Sequence, residues 1–333
     1  MRFKSISTKI SLLFGILMAV MCLGLGMVAY FTSSNALKES NDSSLIEIAH
    51  ANAEVIAQRM EVQLNALEAV AENQWLKEDE LTLDQKLELL KAEEQRSGHY
   101  YMLIADPQGN AKLTNGQTIN IADRDYFLQA LSGKSAVSDP LFSKADNSLV
   151  LALAAPIKED GKIKGVLAAI RDGNELSDTV IAMQFGSREV YMINKEGTTV
   201  ANKDKSLVVQ MRNEQEEVKN DPELKEIAAL EKQMTEGKQG VGEYSYKGVT
   251  KYMGFSPVEG TNWFLAVTAP KSIVMAKVTD LFKSMVIFSI VFLILGIVIT
   301  ILISRRTTKP MKDVAQQLEV VATGDFTQEV PAK

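Results

Sequence analysis

Two uncharged, strongly apolar segments lie near the ends of the chain. The first lies between Lys9 and Lys38, and the second covers residues 284–304. Each is longer than the roughly 18 residues that a membrane-spanning helix needs. A cleaved signal peptide is the alternative for the first segment, but its apolar stretch exceeds the roughly 7 to 15 residues of a signal-peptide core. We therefore predict two transmembrane helices, at residues 10–32 and 284–304.

The basic residues beside the two apolar segments predict the orientation of the chain. Three lysine or arginine residues precede the first segment, and five follow the second. Because the cytoplasmic flanks of membrane spans are enriched in lysine and arginine, both ends are expected in the cytoplasm. The sequence thus predicts a multi-pass protein of the inner or plasma membrane, in contact with membrane lipid. Residues 1–9 and 305–333 would be cytoplasmic, and residues 33–283 would form an extracytoplasmic domain.

A long amphipathic helix is expected at the start of the outer domain. From Ser33 to about Trp75 the sequence contains neither glycine nor proline. Its apolar residues recur mostly three or four positions apart, which indicates one buried helical face. A second, shorter helix is expected at residues 82–95.

The rest of the outer domain alternates between hairpin and helix patterns, and this order repeats. Apolar runs around the turns at 106–110 and 158–161 indicate two β-hairpins, with a helix at 124–131 between them. We therefore expect an α+β fold in which two tandem modules, about residues 76–183 and 184–272, share the long helix. The repeat consists of a hairpin at 189–198, a helix at 222–234 and strands at 241–247, 249–257 and 262–269.

Charge and composition exclude several functions. The outer domain contains 28 basic and 38 acidic residues, so its net charge of −10 argues against nucleic acid as a partner. The only cysteine, Cys22, lies in the first apolar segment, and the two histidines are far apart in the sequence. These residues offer no spacing for a zinc site, and the chain has no pattern of catalytic residues. We predict no enzymatic activity, no metal and no cofactor.

Four short motifs resemble the double Cache sensors of bacterial transmembrane receptors, which consist of two tandem PAS-like modules. They are Ile-Ala-Asp-Arg-Asp-Tyr-Phe at 121–127, Val-Ser-Asp-Pro at 137–140, Ala-Pro-Ile at 155–157 and Gly-Lys-Ile-Lys-Gly-Val-Leu at 161–167. The resemblance implies a sensor whose first module lies far from the membrane and whose second module lies near it.

The sequence after the second apolar segment resembles the first half of a HAMP linker. Residues 308–331 carry the resemblance, and Met311, Val314, Leu318 and Val321 have the heptad spacing of a helix that packs against partners. The nearest architecture is that of methyl-accepting chemotaxis receptors. The resemblance implies a homodimer, and contact with a chemotaxis kinase and adaptor through a C-terminal signalling domain. The sequence ends at Lys333 without that domain, so we expect either a fragment or a partner that supplies it.

In the family, the usual ligand pocket lies in the membrane-distal module. Arg124, followed by Tyr126 and Phe127, would offer a cationic contact with aromatic walls. The alternative is structural: Arg124 caps a helix or pairs with Asp123 or Asp125, while the two aromatic residues fill the core.

The amine-binding half of the family's amino-acid motif differs in this sequence. By alignment, its acidic positions fall on Ser143 and Ile170, and Asp172 lies two residues beyond the second of them. We therefore take Arg124, Tyr126, Phe127, Ser143 and Asp172 as candidate ligand-binding residues. The resemblance then implies a carboxylate-bearing or other small metabolite rather than an α-amino acid.

These observations together predict a transmembrane chemoreceptor that binds a small extracellular ligand. It would pass the signal through the second span and the HAMP helix to a chemotaxis signalling domain. Two alternatives remain: the sensor part of a histidine kinase or cyclic-dinucleotide enzyme, and a cell-surface protein that senses no ligand.

Overall fold

The computed structural model describes residues 6–78 and 80–322, which divide into two units. Among these residues, the terminal unit contains 6–39 and 275–322, and the central unit lies within Ser40–Val274. The helices are α1 (Ile6–Ala71), α2 (Gln74–Lys77), α3 (Leu83–Ser97), α4 (Asp125–Leu131), α5 (Glu175–Ala182), α6 (Lys205–Val209), α7 (Glu214–Glu217), α8 (Lys225–Thr235), α9 (Lys271–Val274) and α10 (Ala276–Ala322), with a short 3₁₀ helix at Pro222–Leu224.

Twelve strands are found in the part of the chain that the structure describes, all of them in the central unit. They are β1 (Tyr101–Ala105), β2 (Asn110–Leu113), β3 (Thr118–Asn120), β4 (Ala136–Val137), β5 (Leu141–Phe142), β6 (Leu149–Glu159), β7 (Lys162–Asp172), β8 (Glu189–Asn194), β9 (Thr199–Ala201), β10 (Gly240–Tyr246), β11 (Val249–Val258) and β12 (Trp263–Pro270).

The terminal unit contains two helical stretches that are long and apolar enough to cross a membrane. The mean hydropathy reaches 2.5 in α1 and 3.3 in α10. Their apolar side chains are largely exposed, for example Leu23 at 73% and Phe292 at 60%. Both helices thus have the length and the apolar surface of membrane spans. Of the residues in the HAMP-like pattern, 323–331 lie outside the described residues.

The first module of the central unit is built on a seven-stranded antiparallel sheet. Its strand order is β3-β2-β1-β7-β6-β4, and β5 also pairs with β6. In this register Tyr101 lies opposite Ile170, and Leu103 lies opposite Ala168. Because side chains alternate along a strand, these four residues lie on the same face of the sheet.

Different helices pack against the two faces of this sheet. One face packs against α1 and α3 through Leu67, Leu90, Met102 and Leu153. The other face consists mainly of small residues and Tyr101, and α4 covers it with Tyr126, Phe127 and Ala130. The candidate residues near Arg124 therefore lie on the face away from the long helix.

The second module repeats this plan with a five-stranded antiparallel sheet of order β10-β11-β12-β8-β9. One face packs on α1, where a Cβ atom on Gly254 would lie 2.5 Å from the backbone of Leu45. The opposite face is covered by α8, whose Leu230 and Met234 are buried among strand residues. The predicted α+β fold with two repeated modules on one long helix is confirmed.

The structure differs from the predicted elements at several places. The long helix ends at Ala71 rather than near Trp75, which lies in the separate helix α2. The short strands β3, β4 and β5 were not predicted, because stretches of two or three residues are too short to display an alternating pattern.

One carboxylate joins the two modules. Asp139, in the segment between β4 and β5, accepts a hydrogen bond from Nε1 of Trp263 at 2.6 Å. Its second oxygen accepts a hydrogen bond from Nδ2 of Asn194 at 2.7 Å. Trp263 and Asn194 are paired across β12 and β8 of the second module. The motif at 137–140 therefore contacts the sheet that precedes α9 and α10 in the chain.

Candidate ligand-binding site

Arg124 lies immediately before α4 and points towards β5. Its Nη2 atom donates a hydrogen bond to the carbonyl oxygen of Phe142 at 2.8 Å. Its backbone occupies the N-cap position of α4, but its side chain makes no capping hydrogen bond. Asp123 is paired with Lys144. The guanidinium thus bridges the start of α4 and the β5 strand.

An open groove of about 550 Å³ begins at Arg124, and we call it the Arg124 groove. Most of its lining comes from the segment 141–147, which contains β5 and the turn after it. Met211, from the segment between α6 and α7 of the second module, completes the lining. Both modules therefore contribute to this groove, which is lined by Arg124, Leu141, Phe142, Ser143, Lys144, Ala145, Asp146, Asn147 and Met211.

Beneath the groove, hydroxyl groups from three elements lie close to Arg124. The hydroxyl groups of Tyr101 and Ser143 are hydrogen-bonded at 2.7 Å, and both residues are buried. Burial raises the pKa of Tyr126 to about 12, although the positive charge of Arg124 acts in the opposite direction. Burial also raises the pKa of Tyr101, against the hydrogen bond from Ser143. At neutral pH these groups are therefore uncharged and able to donate or accept hydrogen bonds.

Both aromatic candidates are buried in the apolar layer between α4 and the sheet, and neither lines the groove. Tyr126 lies close enough to Arg124 and Tyr101 for their charges to influence its pKa. Phe127 is only 1% exposed and packs among the apolar residues between α4 and the sheet. Both side chains therefore contribute to the core, and their contact with a ligand stays a prediction.

Asp172 lies at the end of β7 and is not among the residues that line the Arg124 groove. Its Oδ1 accepts hydrogen bonds from the backbone N–H of Asn174 at 2.9 Å and from its Nδ2 at 3.1 Å. Burial alone would raise the pKa of Asp172, but these bonds and one from Tyr100 hold it below the usual value. Ile170, the aligned acidic position, is buried in the apolar face of the sheet. The structure thus places Arg124 and Ser143 in the groove lining. Tyr126 is buried close to Arg124, and Asp172 does not line the groove.

Tyr101 and Asp146 are among the residues of the site that the sequence reasoning missed. Tyr101 could have been found, because strand alternation directs it to the same face as Leu103 and Ala105. Asp146 lines the groove and is close enough to Tyr101 to influence its pKa. It follows the two-residue strand β5, which is too short to display an alternating pattern, so no signal in the sequence pointed to it. Within residues 6–78 and 80–322 there is no cluster of three or more acidic, histidine or cysteine side chains that could hold a metal ion.

Comparison with known proteins shows similarity to sensory proteins. A family model described as Cache domain (dCache_1) matches residues 33–278. The methyl-accepting chemotaxis protein TlpB of Bacillus subtilis is 23% identical over 323 residues, which cover 93% of this chain and 46% of that protein. The methyl-accepting chemotaxis protein PctB of Pseudomonas aeruginosa is 20% identical over 204 residues, 60% of this chain and 30% of that protein. The chain thus spans less than half the length of these relatives.

Solved structures show the same fold in the central unit. The ligand-binding domain of the Pseudomonas fluorescens chemoreceptor CtaA in complex with L-isoleucine aligns with a TM-score of 0.59 and 18% identity. That alignment covers 74% of this chain and 99% of the domain. The ligand-binding domain of Pseudomonas aeruginosa PctB in complex with L-Arg aligns with a TM-score of 0.56 and 19% identity, covering 72% and 98%. At these identities the likeness concerns the fold alone.

Proposed function

Since the chain belongs to the Cache domain family, we propose that it is a transmembrane chemoreceptor that senses a small extracellular ligand. In this proposal residues 10–32 and 284–304 span the membrane, and residues 33–283 form the extracytoplasmic sensor. The ligand binds in the first, membrane-distal module, at the Arg124 groove. The segment 305–333 is the first part of a HAMP linker. The role is sensory and involves no catalytic step.

The observation that carries the proposal is the position of Arg124 in an open groove above buried hydroxyl groups. Its guanidinium donates to a backbone carbonyl, that of Phe142, at 2.8 Å. A ligand carboxylate is a stronger acceptor than a carbonyl, and arginine can bind it with two parallel hydrogen bonds. We expect such a ligand to compete for the guanidinium and so to displace β5.

We propose that the ligand carries a carboxylate group, and that it need not carry an amine. The two aligned acidic positions are Ser143 and Ile170, and Asp172 is already engaged by Asn174 and Tyr100. Asp146 in the groove is the group that would favour an α-amino acid instead, since it could accept hydrogen bonds from an ammonium group. Measuring the binding of two ligands that differ only in the amine decides between a simple carboxylate and an α-amino acid.

Movement of β5 has a direct route to the second module. The strand follows Asp139, whose carboxylate accepts hydrogen bonds from Trp263 and Asn194. Strand β12 begins at Trp263 and ends at Pro270, and α10 begins at Ala276. A ligand transmits a signal only if it binds one arrangement of these elements more tightly than the other.

We further propose that the receptor is a homodimer formed through α1. Val55 and Val62 lie seven residues apart on this helix and are 51% and 68% exposed. Ala51, Ala66 and Ala69 are also exposed and, by helical spacing, lie on the same side. Apolar residues at heptad spacing pair with the same face of a second helix. Contact with a chemotaxis kinase and adaptor would require a signalling domain beyond this sequence.

Thermal unfolding of the purified chain in detergent tests the ligand site. The probes are L-leucine and 4-methylpentanoate, which share a carboxylate and a branched side chain and differ in the α-amine. A ligand at 100 times its dissociation constant stabilises the folded state by about 2.7 kcal/mol. We expect 4-methylpentanoate to stabilise the wild-type chain at least as much as L-leucine does.

Arg124→Ala is the test variant, and Arg96→Ala is its matched control. Arg96 is an exposed arginine paired with Glu93 within α3, away from the groove. We expect Arg124→Ala to abolish stabilisation by ligand. It should lower the unfolding free energy of the free chain by only about 1.5 to 3 kcal/mol, the range for one hydrogen bond to a charged group. If L-leucine stabilises the chain and 4-methylpentanoate does not, the proposal that the ligand needs no amine is refuted. Ligand binding that persists in Arg124→Ala would refute the site.

A further inference from the structure

A buried carboxylate lies inside the second module, on the side of the sheet that α8 covers. Glu231 of α8 has no exposed surface. Its Oε1 accepts a hydrogen bond from the hydroxyl group of Tyr191 at 3.0 Å. Its Oε2 is buried and has no hydrogen-bond partner among the described residues. A buried carboxylate in this situation is costly unless it is protonated or paired with a cation.

A second carboxylate with the same incomplete pairing lies nearby on α7. Oε1 of Glu214 accepts a hydrogen bond from Nε of Arg212 at 3.0 Å, whereas its Oε2 is buried without a partner in the described part of the chain. The other arm of the Arg212 guanidinium contacts Glu217 at 3.1 Å. Two helices thus each contribute one unpaired acceptor oxygen to the interior of the module.

The groups that face Glu231 favour a neutral carboxyl group while no cation is bound. Burial, followed by the charge of Glu214, raises the pKa of Glu231 well above its usual value, against the opposing effects of Tyr191 and Arg212. Burial also raises the pKa of Tyr191 and of Tyr244, so both hydroxyl groups keep their protons. These tyrosines therefore contribute neutral hydroxyl groups and aromatic rings, but no positive charge.

We propose that Glu231 and Glu214 form a second ligand site, inside the second module, that binds the ammonium group of a small primary amine. A primary ammonium has three N–H donors. Two of them would bond the two unpaired carboxylate oxygens, and the hydroxyl oxygen of Tyr191, which contacts Glu231, offers a third acceptor. The requirement for N–H donors distinguishes this site from a metal site, and its charge is opposite to that of the Arg124 groove.

A ligand would have to enter from the side of Arg212, the partly exposed end of this cluster. The side chains of Arg212 and Glu214 are 21% and 12% exposed, and that of Glu217 is 43% exposed. The polar network thus continues from the buried Glu231 to the surface of the module. An incoming ammonium would compete with Arg212 for Glu214 and would replace the proton on Glu231.

Isothermal titration calorimetry of the full chain in detergent tests the proposal, with ethylammonium chloride as the probe. Tetramethylammonium is the matched cation without N–H donors, and sodium is the metal control. We expect ethylammonium to bind at least about tenfold more tightly than either. Because binding displaces a proton, its affinity should rise by up to about tenfold per pH unit until Glu231 loses its proton in the free protein.

Two variants locate the binding. Glu231→Gln retains an acceptor for the Tyr191 hydroxyl and removes the charge, so binding and its pH dependence should be lost while the free chain melts no lower than wild type. Glu214→Gln, which alters the more exposed carboxylate, should weaken binding at least about tenfold. Glu216→Gln, an exposed neighbour paired with Lys219, should leave binding unchanged.

Three results would overturn the proposal. They are no ethylammonium binding at any pH, equal binding of ethylammonium and tetramethylammonium, and binding retained in Glu231→Gln. If Glu231→Gln fails to fold, unchanged binding in Glu214→Gln has the same consequence.

Discussion

Removing the Asp139 carboxylate should loosen the contact between the two modules. The Asp139→Ala substitution deletes hydrogen bonds of 2.6 Å to Trp263 and 2.7 Å to Asn194. Each hydrogen bond to a charged group contributes about 1.5 to 3 kcal/mol, and an unsatisfied buried donor adds a cost. Trp263 is only 1% exposed, so its N–H group would be left buried without a partner. Because Asp139 itself is partly exposed, we expect a loss of about 3 kcal/mol.

Asp139→Asn should have a smaller effect. The new amide retains an oxygen for Trp263 but presents its NH₂ group to the Nδ2 of Asn194. Asn194 cannot turn its amide to compensate, because its Oδ1 accepts the backbone N–H groups of Glu196 and Thr198 at 3.1 and 2.8 Å. One of the two hydrogen bonds is then lost, which corresponds to about 1 to 2 kcal/mol.

Thermal unfolding of the detergent-solubilised chain measures both losses. For a unit of this size, about 3 kcal/mol corresponds to a decrease of roughly 6 to 12 °C in melting temperature. Asp84→Ala is the control, because Asp84 is an exposed carboxylate paired with Lys112 and should change stability by less than about 1 kcal/mol. A melting temperature of Asp139→Ala equal to that of Asp84→Ala would refute the role of this contact.

Two further substitutions test the packing and the proposed dimer contact of α1. Gly254→Ala places a Cβ atom 2.5 Å from the Leu45 backbone and should lower the unfolding free energy by about 2 to 3 kcal/mol. Denaturant unfolding measures this loss, with Val249→Ala on the same strand as the control. Equal losses of unfolding free energy in the two variants would contradict the close contact. The double substitution Val55→Glu/Val62→Glu should raise the dimer dissociation constant at least about tenfold without unfolding the monomer. Analytical ultracentrifugation measures it, and an unchanged constant would show that this face lies outside the dimer interface.

Local patterns in the sequence predict the frame of the central unit. The hairpin predicted around the turn at 158–161 corresponds to β6 (Leu149–Glu159) and β7 (Lys162–Asp172). This agreement has a physical reason: continuous apolar runs of this length on either side of a glycine-containing turn form a hairpin in most contexts. The frame therefore depends on interactions between residues that are close in sequence.

The sites depend on contacts that no local pattern contains. Asp139 and Trp263 are 124 residues apart in the sequence, and Met211 of the second module enters a groove formed by the first. For Glu231, a local pattern predicts the burial of the side chain but not its partners. It lies four residues after Ile227 and three before Met234, so helical spacing places it on the buried face of α8. That spacing was the available signal that this carboxylate is buried.

The two modules share a fold but differ in their chemistry, and the difference arises in the elements that cover their sheets. Both sheets are formed by strands with alternating apolar residues. This strand pattern does not determine which residues the covering helices carry. In the first module Arg124 precedes α4 and brings a positive charge to the groove. In the second, α8 directs Glu231 into the interior. Recognition of an anion in one module and of a cation in the other is therefore compatible with one repeated architecture, because the charged residues lie outside the pattern that specifies the fold.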